Sequence, residues 1–170
     1  MNARPLIDSL DFARNGQKTS GEVPVAKLPR LLDFLENHQG ILSYTVRGGI
    51  DRDGVTSLDV SVAGNCQLRC QRCLSRMDYA IRLESHLLLR DQATLDALDS
   101  SADGGEDEQF DSILADAHLD VLDLLEDEIL LSLPIAPKHE SGECQAAEGR
   151  KVPEEEKNPF AALAKLKIVK

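Results

Sequence analysis

LDVSVAGNCQLRCQRCLSRMDYAIRL, residues 58–83, is the stretch of sequence that decides the fold. From Leu58 to Cys70 apolar and polar residues alternate, and the alternation resumes from Met77 to Leu83. A period of two residues is typical of a β-strand with one buried face and one wet face. The stretch therefore predicts two antiparallel strands, which turn the sulfur atoms of Cys66 and Cys70 inward and the neighbouring arginines outward.

The same period precedes this stretch. Leu42, Tyr44 and Val46 alternate with polar residues, and the turn sequence DRDG at 51–54 then predicts a hairpin. A period of 3.6 residues appears elsewhere: a helix is predicted over residues 30–37 and a longer one over 116–133, stopped by Pro134.

These patterns together predict an α+β fold. Its centre is a mostly antiparallel β-meander sheet, partly closed or barrel-like, packed by one main amphipathic helix, with short helices at both ends of the chain. Residues 1–135 are predicted to form a single domain that contains an acidic mobile loop at about 92–109. Residues 136–170 are predicted to form a C-terminal tail whose short terminal helix docks on the domain.

The charge of the chain is segregated. The net charge is −11, but fourteen acids and no Lys or Arg lie between Asp91 and Glu128, and the other residues comprise 16 acids and 19 bases. A bipolar chain of this kind leaves nucleic acid open as a partner. No apolar stretch could span a bilayer and the N-terminus lacks a signal-peptide pattern, so we expect a cytoplasmic protein without membrane contact.

The cysteine pair Cys70-x-x-Cys73 allows three interpretations. A redox dithiol requires a helix N-terminus, whereas these residues end one predicted strand and precede another. Structural zinc requires two further ligands, which His139 and Cys144 of the tail supply. The third interpretation is thiols that pack as small hydrophobic groups, as we expect for Cys66 in any case.

Arginines are concentrated on and beside the predicted strands. Because guanidinium groups match phosphate oxygens, we predict a nucleic-acid contact surface, with an ordinary solvated surface as the alternative. The predicted contact residues are Arg47, Arg69, Arg72, Arg76 and Arg82.

Nothing in the sequence supports catalysis. The carboxylates along the 116–133 helix are most simply its wet side, no catalytic triad surrounds His86 or His118, and no glycine-rich phosphate loop is present. We therefore expect a protein that is not an enzyme, has no catalytic residues and takes no small-molecule substrate.

Four separated stretches resemble the YceD family of large ribosomal RNA subunit accumulation proteins. They are ARNGQKTSGEV at 13–23, CQRC at 70–73, LLEDEILLSLPIAPKHESGEC at 124–144 and KNPFAALAKLK at 157–167. The resemblance implies a ribosome biogenesis factor that supports the synthesis, processing or stability of 23S rRNA. It also lends weight to one structural zinc at Cys70, Cys73, His139 and Cys144.

The implied partners are 23S rRNA or a pre-ribosomal particle on the arginine side, and a basic ribosomal protein on the acidic side. The residues expected to meet the basic protein are Asp116, Asp120, Asp123 and Asp127. Two alternatives stay open: an adaptor that binds only proteins, and a metal-dependent RNA-processing enzyme.

Overall fold

The computed structural model describes residues 4–100, 110–140 and 143–144. Its centre is a five-stranded sheet in the order β2-β3-β4-β5-β6, beside a separate two-stranded ladder of β1 and β7. The strands are β1 Leu6–Ile7, β2 Lys18–Pro24, β3 Ile41–Ile50, β4 Thr56–Arg69, β5 Arg76–Arg90, β6 Asp111–Leu114 and β7 Leu119–Asp120. The helices are α1 Ser9–Arg14, α2 Pro29–Leu32, α3 Gln92–Ser100 and α4 Val121–Ser132, with a 3₁₀ turn at Val25–Lys27.

The predicted meander is confirmed in strands β3 to β5. β3 and β4 form the hairpin around the DRDG turn, and β4 pairs with β5 without interruption from Ser57↔Leu88 to Arg69↔Arg76. The two-residue alternation predicts the buried side correctly, since Cys66, Leu68 and Cys70 are all buried. We call this buried side the inner face of the sheet and the opposite side the outer face.

Helices α1 and α4 cover the inner face, where they close the hydrophobic core. The predicted inward stripe of α4 is confirmed, because Leu122, Leu125 and Ile129 are all buried. Burial of aliphatic side chains of this size is worth about 1.5–3 kcal/mol each, so this stripe fixes α4 on the sheet.

Gly48 of β3 lies where α1 crosses the sheet. A Cβ at Gly48 would come within 2.4 Å of the Phe12 carbonyl oxygen and 2.6 Å of the Ala13 Cα, both backbone atoms of α1. At the adjacent Gly49 the nearest atom would be the Ser57 Oγ at 3.6 Å, an ordinary contact. The close approach of α1 therefore requires glycine at position 48 but not at position 49.

We expect Gly48→Ala to lower the free energy of unfolding by about 2–3 kcal/mol, because overpacking forces α1 away from the sheet. Gly49→Ala, the matched control, should change it by less than about 1 kcal/mol. Urea unfolding of both variants checks this expectation. Equal stability of the two variants would contradict the close packing of α1 on β3.

The barrel-like closure expected from the sequence is not supported. The sheet is open, with β2 at one edge and β6 at the other, and β6 pairs with β5 in the parallel direction. With five strands and two separate edges, the inner face is closed by helices rather than by curvature of the sheet.

Two predicted helices are shorter than expected. α2 ends at Leu32 because the following chain turns to meet β4: Leu35 forms a bridge with Leu68, and the Glu36 amide donates to the Gln67 carbonyl at 2.8 Å. α4 begins at Val121, not at 116, because the Asp120 carboxylate accepts hydrogen bonds from the amides that open the helix.

The predicted acidic loop also needs correction. Its first part is helix α3, begun by the Asp91 carboxylate, which accepts a hydrogen bond from the Thr94 amide at 2.8 Å. Residues 101–109 and the predicted terminal helix lie outside the described residues. Among the helices of the described part, none is long and apolar enough to cross a membrane.

Candidate metal centre and outer face

The turn between β4 and β5 has the geometry of a metal-binding knuckle. Its ends are closed by two backbone hydrogen bonds, from the Cys70 amide to the Ser75 carbonyl and from the Leu74 amide to the Cys70 carbonyl, both 2.9 Å. Leu74 has a φ of 59°, the left-handed region that a leucine rarely adopts. Backbone in this region costs about 1 kcal/mol or more and is found where the surrounding structure enforces it, often at functional sites.

Three cysteines and one histidine meet at this turn: Cys70, Cys73, His139 and Cys144. Their ligand atoms all lie within 4.8 Å of one another, so the cluster can hold a metal ion. The Sγ atoms of Cys70 and Cys144 are 3.7 Å apart, and His139 Nδ1 is 3.4 Å from the Cys73 Sγ and 3.7 Å from the Cys144 Sγ. We call these four residues the Cys₃His cluster.

The separations match a tetrahedral site. Zn–S bonds of about 2.3 Å and a Zn–N bond of about 2.0–2.1 Å place two sulfurs about 3.8 Å apart and a sulfur and a nitrogen about 3.5 Å apart. All four cysteines of the chain are free thiols, so no disulfide competes for the three in the cluster. The sequence prediction that these four residues come together is therefore confirmed.

The imidazole of His139 is oriented for coordination. Its Nε2 donates a hydrogen bond to the backbone carbonyl oxygen of Arg76 at 3.2 Å. Nδ1 is then the atom with the lone pair, and it faces the thiols. A carbonyl acceptor on the other ring nitrogen is typical of metal-binding histidines because it fixes both tautomer and ring orientation.

Backbone amides favour thiolates at the knuckle. Burial raises the pKa of Cys70, but hydrogen bonds from the amides of Cys73, His139 and Arg72 outweigh it and lower the pKa to about 5. The Ser75 amide likewise lowers the pKa of Cys73. Because thiolates are the metal-binding form of cysteine, these hydrogen bonds favour metal binding by Cys70 and Cys73.

The cluster fastens the residues after α4 to the sheet. Next to the ligands, the Gln71 amide donates to the Pro137 carbonyl oxygen at 2.8 Å. The described part of the predicted tail thus lies against the β4–β5 turn. Cys66 takes no part in the cluster; it packs in the core as expected, and burial raises its pKa to about 11.

Four of the five predicted RNA-contacting arginines lie on the outer face: Arg47, Arg69, Arg76 and Arg82. In the strand pairing Arg47 lies opposite position 59 of β4, Arg82 opposite position 63, and Arg76 opposite Arg69 itself. Alternate residues of a strand point to the same side, so these side chains share one side over about 33 Å. All four are exposed.

Carboxylates lie among these arginines. Glu36 forms an ion pair with Arg69 at 2.7 Å, and this hydrogen bond lowers the pKa of Glu36. Asp59 accepts a hydrogen bond from His86 Nδ1 at 2.6 Å, and Glu84 is two residues from Arg82 on β5. The outer face is therefore mixed in charge, not uniformly positive.

The outer face is hollow between Arg47 and Arg82. Two shallow cavities of about 580 and 330 Å³ adjoin there and share Thr45, Ser61 and Glu84. Hydroxyl groups on the floor and guanidinium groups at either end form a polar groove that could accept an extended ligand rich in hydrogen-bonding groups.

Arg72, the fifth predicted RNA contact, lies elsewhere. It sits inside the knuckle, where its Nε donates to the Cys144 Sγ at 2.9 Å and its Nη2 to the Glu140 carbonyl oxygen at 3.4 Å. The structure therefore separates Arg72 from the arginines of the outer face.

The four predicted protein-contacting aspartates do not form one stripe of α4. Asp116 precedes the helix and accepts a hydrogen bond from the His118 amide, while Asp120 caps the helix and pairs with Arg4 at 3.0 Å. Asp123 also pairs with Arg4, and Asp127 pairs with Arg30, although both side chains remain about half exposed, 53% and 54%.

Two residues with clear structural roles carry no signal in the sequence. Leu74 takes a backbone conformation for which glycine is the usual signal. Glu126 of α4 is fully buried and binds α2: its Oε1 accepts from the Leu31 amide at 2.8 Å and its Oε2 pairs with Arg30 at 3.0 Å. In the sequence this residue is indistinguishable from the acids beside it.

Comparison with known proteins places the chain among its relatives. A model of the family described as "Large ribosomal RNA subunit accumulation protein YceD" matches residues 58–167. A protein of that name from Haemophilus influenzae is 27% identical over 168 residues, which cover 95% of this chain and 94% of the relative. No solved structure matches. The span matched by the family model contains the Cys₃His cluster and the outward arginines of β4 and β5.

Proposed function

The chain belongs to the YceD family of large ribosomal RNA subunit accumulation proteins, and from this premise we propose that it is a non-enzymatic ribosome assembly factor. In this role it supports the synthesis, processing or stability of 23S rRNA. It acts in the cytoplasm, where pre-ribosomal particles form, and it binds macromolecules, not a small-molecule substrate.

The observation that carries the proposal is the set of exposed arginines on the outer face. We propose that Arg47, Arg76 and Arg82 contact the phosphates of 23S rRNA or its precursor, in the free state or within a pre-ribosomal particle. Guanidinium groups form paired hydrogen bonds with phosphate oxygens, and the hydroxyls of the groove supply further donors. Since carboxylates such as Glu84 lie among the arginines, binding depends on how these donors match the RNA more than on net charge.

We also propose that the Cys₃His cluster binds one structural zinc ion. Three thiolates and one imidazole are a closed ligand set that zinc favours, with no open position for substrate. When bound, the ion would cross-link the chain, because His139 and Cys144 would be held against the β4–β5 turn. This turn lies at the end of the outer face that carries Arg69 and Arg76, so zinc supports the proposed RNA surface.

A basic ribosomal protein is the second proposed partner. The side chains of Asp123 and Asp127 remain 53% and 54% exposed, despite their pairs with Arg4 and Arg30. These two residues are the better candidates for such a contact, because Asp116 and Asp120 accept hydrogen bonds from local backbone amides.

RNA binding can be tested by charge reversal on the outer face. We expect the double variant Arg47→Glu, Arg82→Glu to bind 23S rRNA precursor about 10–100-fold more weakly at low salt, since two phosphate contacts become repulsive. The slope of log affinity against log salt should become shallower by about 1–2. Filter binding over a salt series measures both quantities.

Lys27→Glu is the control, because Lys27 is exposed in the 3₁₀ turn and does not line the groove between Arg47 and Arg82. It should leave affinity and slope nearly unchanged. If the double variant binds like the wild type, the outer face is not the RNA contact. If the wild type itself does not bind the precursor, the chain is an adaptor that meets only proteins. Specific, metal-dependent cleavage of the precursor, abolished by Asp→Asn changes, would instead make it an enzyme.

A further inference from the structure

We propose that Arg72 belongs to the metal centre: it balances the charge of the Cys₃His cluster and clamps its most distant ligand. This inference rests on the zinc site proposed above and assigns a role to one residue beside it. It also removes Arg72 from the set of predicted RNA contacts. Arg72 is thus a positioning residue that acts through Cys144.

The contacts of Arg72 point to the metal centre. Its guanidinium reaches from the knuckle to the opposite side of the cluster, where it donates to the Cys144 Sγ at 2.9 Å and to the Glu140 carbonyl oxygen at 3.4 Å. Both acceptors belong to the segment that follows α4. One side chain therefore spans the same gap as the metal would, and it holds the ligand segment at two points.

The charge of the centre requires a cation nearby. Zinc with three thiolates and a neutral imidazole has a net charge of −1, and this charge is partly buried because Cys70 is fully shielded from solvent. A buried charge without a partner is costly. Arg72 supplies a permanent positive charge in direct contact with one thiolate, which makes the centre neutral.

The hydrogen bond also affects the reactivity of Cys144. A donor on a zinc-bound thiolate withdraws electron density from sulfur, so the sulfur attacks electrophiles more slowly. Cys144 is only partly buried, whereas Cys70 is buried. We therefore expect Arg72 to protect Cys144 from reaction with electrophiles. Cys144 is accessible to reagents, and it is the ligand most remote in sequence from the knuckle.

The experiment compares Arg72→Gln, Arg72→Lys and Arg52→Gln in the full-length, zinc-loaded chain. Zinc affinity is measured by competition with a chromogenic chelator. Arg72→Gln should weaken zinc affinity about 10–100-fold, the usual cost of losing a hydrogen-bond partner of a metal ligand. Arg72→Lys keeps the positive charge but not the planar guanidinium group, so it should weaken zinc affinity by less than about tenfold. Arg52→Gln changes an exposed arginine of the turn between β3 and β4, outside the Cys₃His cluster, and should match the wild type.

A second measurement follows zinc release during alkylation with N-ethylmaleimide, with mass spectrometry of the peptide that contains Cys144. Release should be several-fold faster in Arg72→Gln than in the wild type, with Cys144 modified first. If Arg72→Gln matches the wild type in zinc affinity and release, the role assigned to Arg72 is overturned while the zinc site stands. If the wild type binds no zinc, both proposals fail together.

Discussion

Removal of the metal is expected to lower the melting temperature of the protein by about 10 °C. A metal that binds only the folded state stabilises it by about 4 kcal/mol when free zinc is about 1,000 times its dissociation constant. For a chain of this size each kcal/mol corresponds to about 2–4 °C. The same loss is expected for Cys73→Ser and for Cys144→Ser, because each removes one of four ligands and structural zinc needs all four.

Metal analysis of the purified protein should give about one zinc per chain for the wild type, and less than about one fifth of that for either serine variant. Cys66→Ala is the control: its sulfur is buried in the core, outside the Cys₃His cluster, so this variant should keep its zinc. A wild-type chain that is purified without metal and melts at the same temperature with and without a chelator would disprove the structural zinc.

Glu126→Ala is expected to lower the free energy of unfolding by about 3 kcal/mol. The substitution leaves the buried Leu31 amide without its acceptor and breaks the contact with Arg30. Glu126→Gln keeps an oxygen for the Leu31 amide and should lose only about 1 kcal/mol. Urea unfolding curves of the three proteins measure these differences.

Asp127→Ala is the matched control for Glu126. Asp127 neighbours Glu126 and pairs with the same Arg30, but its side chain is 54% exposed, so its loss should cost less than about 1 kcal/mol. If the two alanine variants proved equally stable, the attachment of α2 to α4 would not depend on Glu126. Glu126→Ala should also weaken zinc binding at the Cys₃His cluster, because the chain after α2 contacts the end of β4 through Leu35 and Glu36.

Some errors of the sequence prediction share one cause. The helix expected over residues 30–37 ends early because Leu35 and Glu36 bond to β4, and the helix expected from 116 starts at Val121 because β7 first pairs with β1. Helical periodicity describes which faces of a segment are apolar, not which distant backbone groups compete for its hydrogen bonds. The error at α3 is different, since Asp91 and Thr94 form a local cap that the acidic composition obscured.

The sequence by itself determined the meander strands β3 to β5, their buried side and the residue types of the metal centre. Period-two alternation is a local property, because each residue in a strand faces opposite to its neighbour whatever the strand packs against. It was enough to turn Cys66 and Cys70 inward and Arg69 and Arg82 outward, as the structure has them.

Only the tertiary structure decided which of these groups meet. His139 contacts Cys73 across 66 positions of sequence, Arg72 turns to Cys144 across 72, and Glu36 pairs with Arg69 across 33. Such pairs depend on the path of the chain after each element, and that path is set by the packing of the whole core. For this reason the tertiary structure, and not the sequence pattern, separates Arg72 from the four arginines of the outer face.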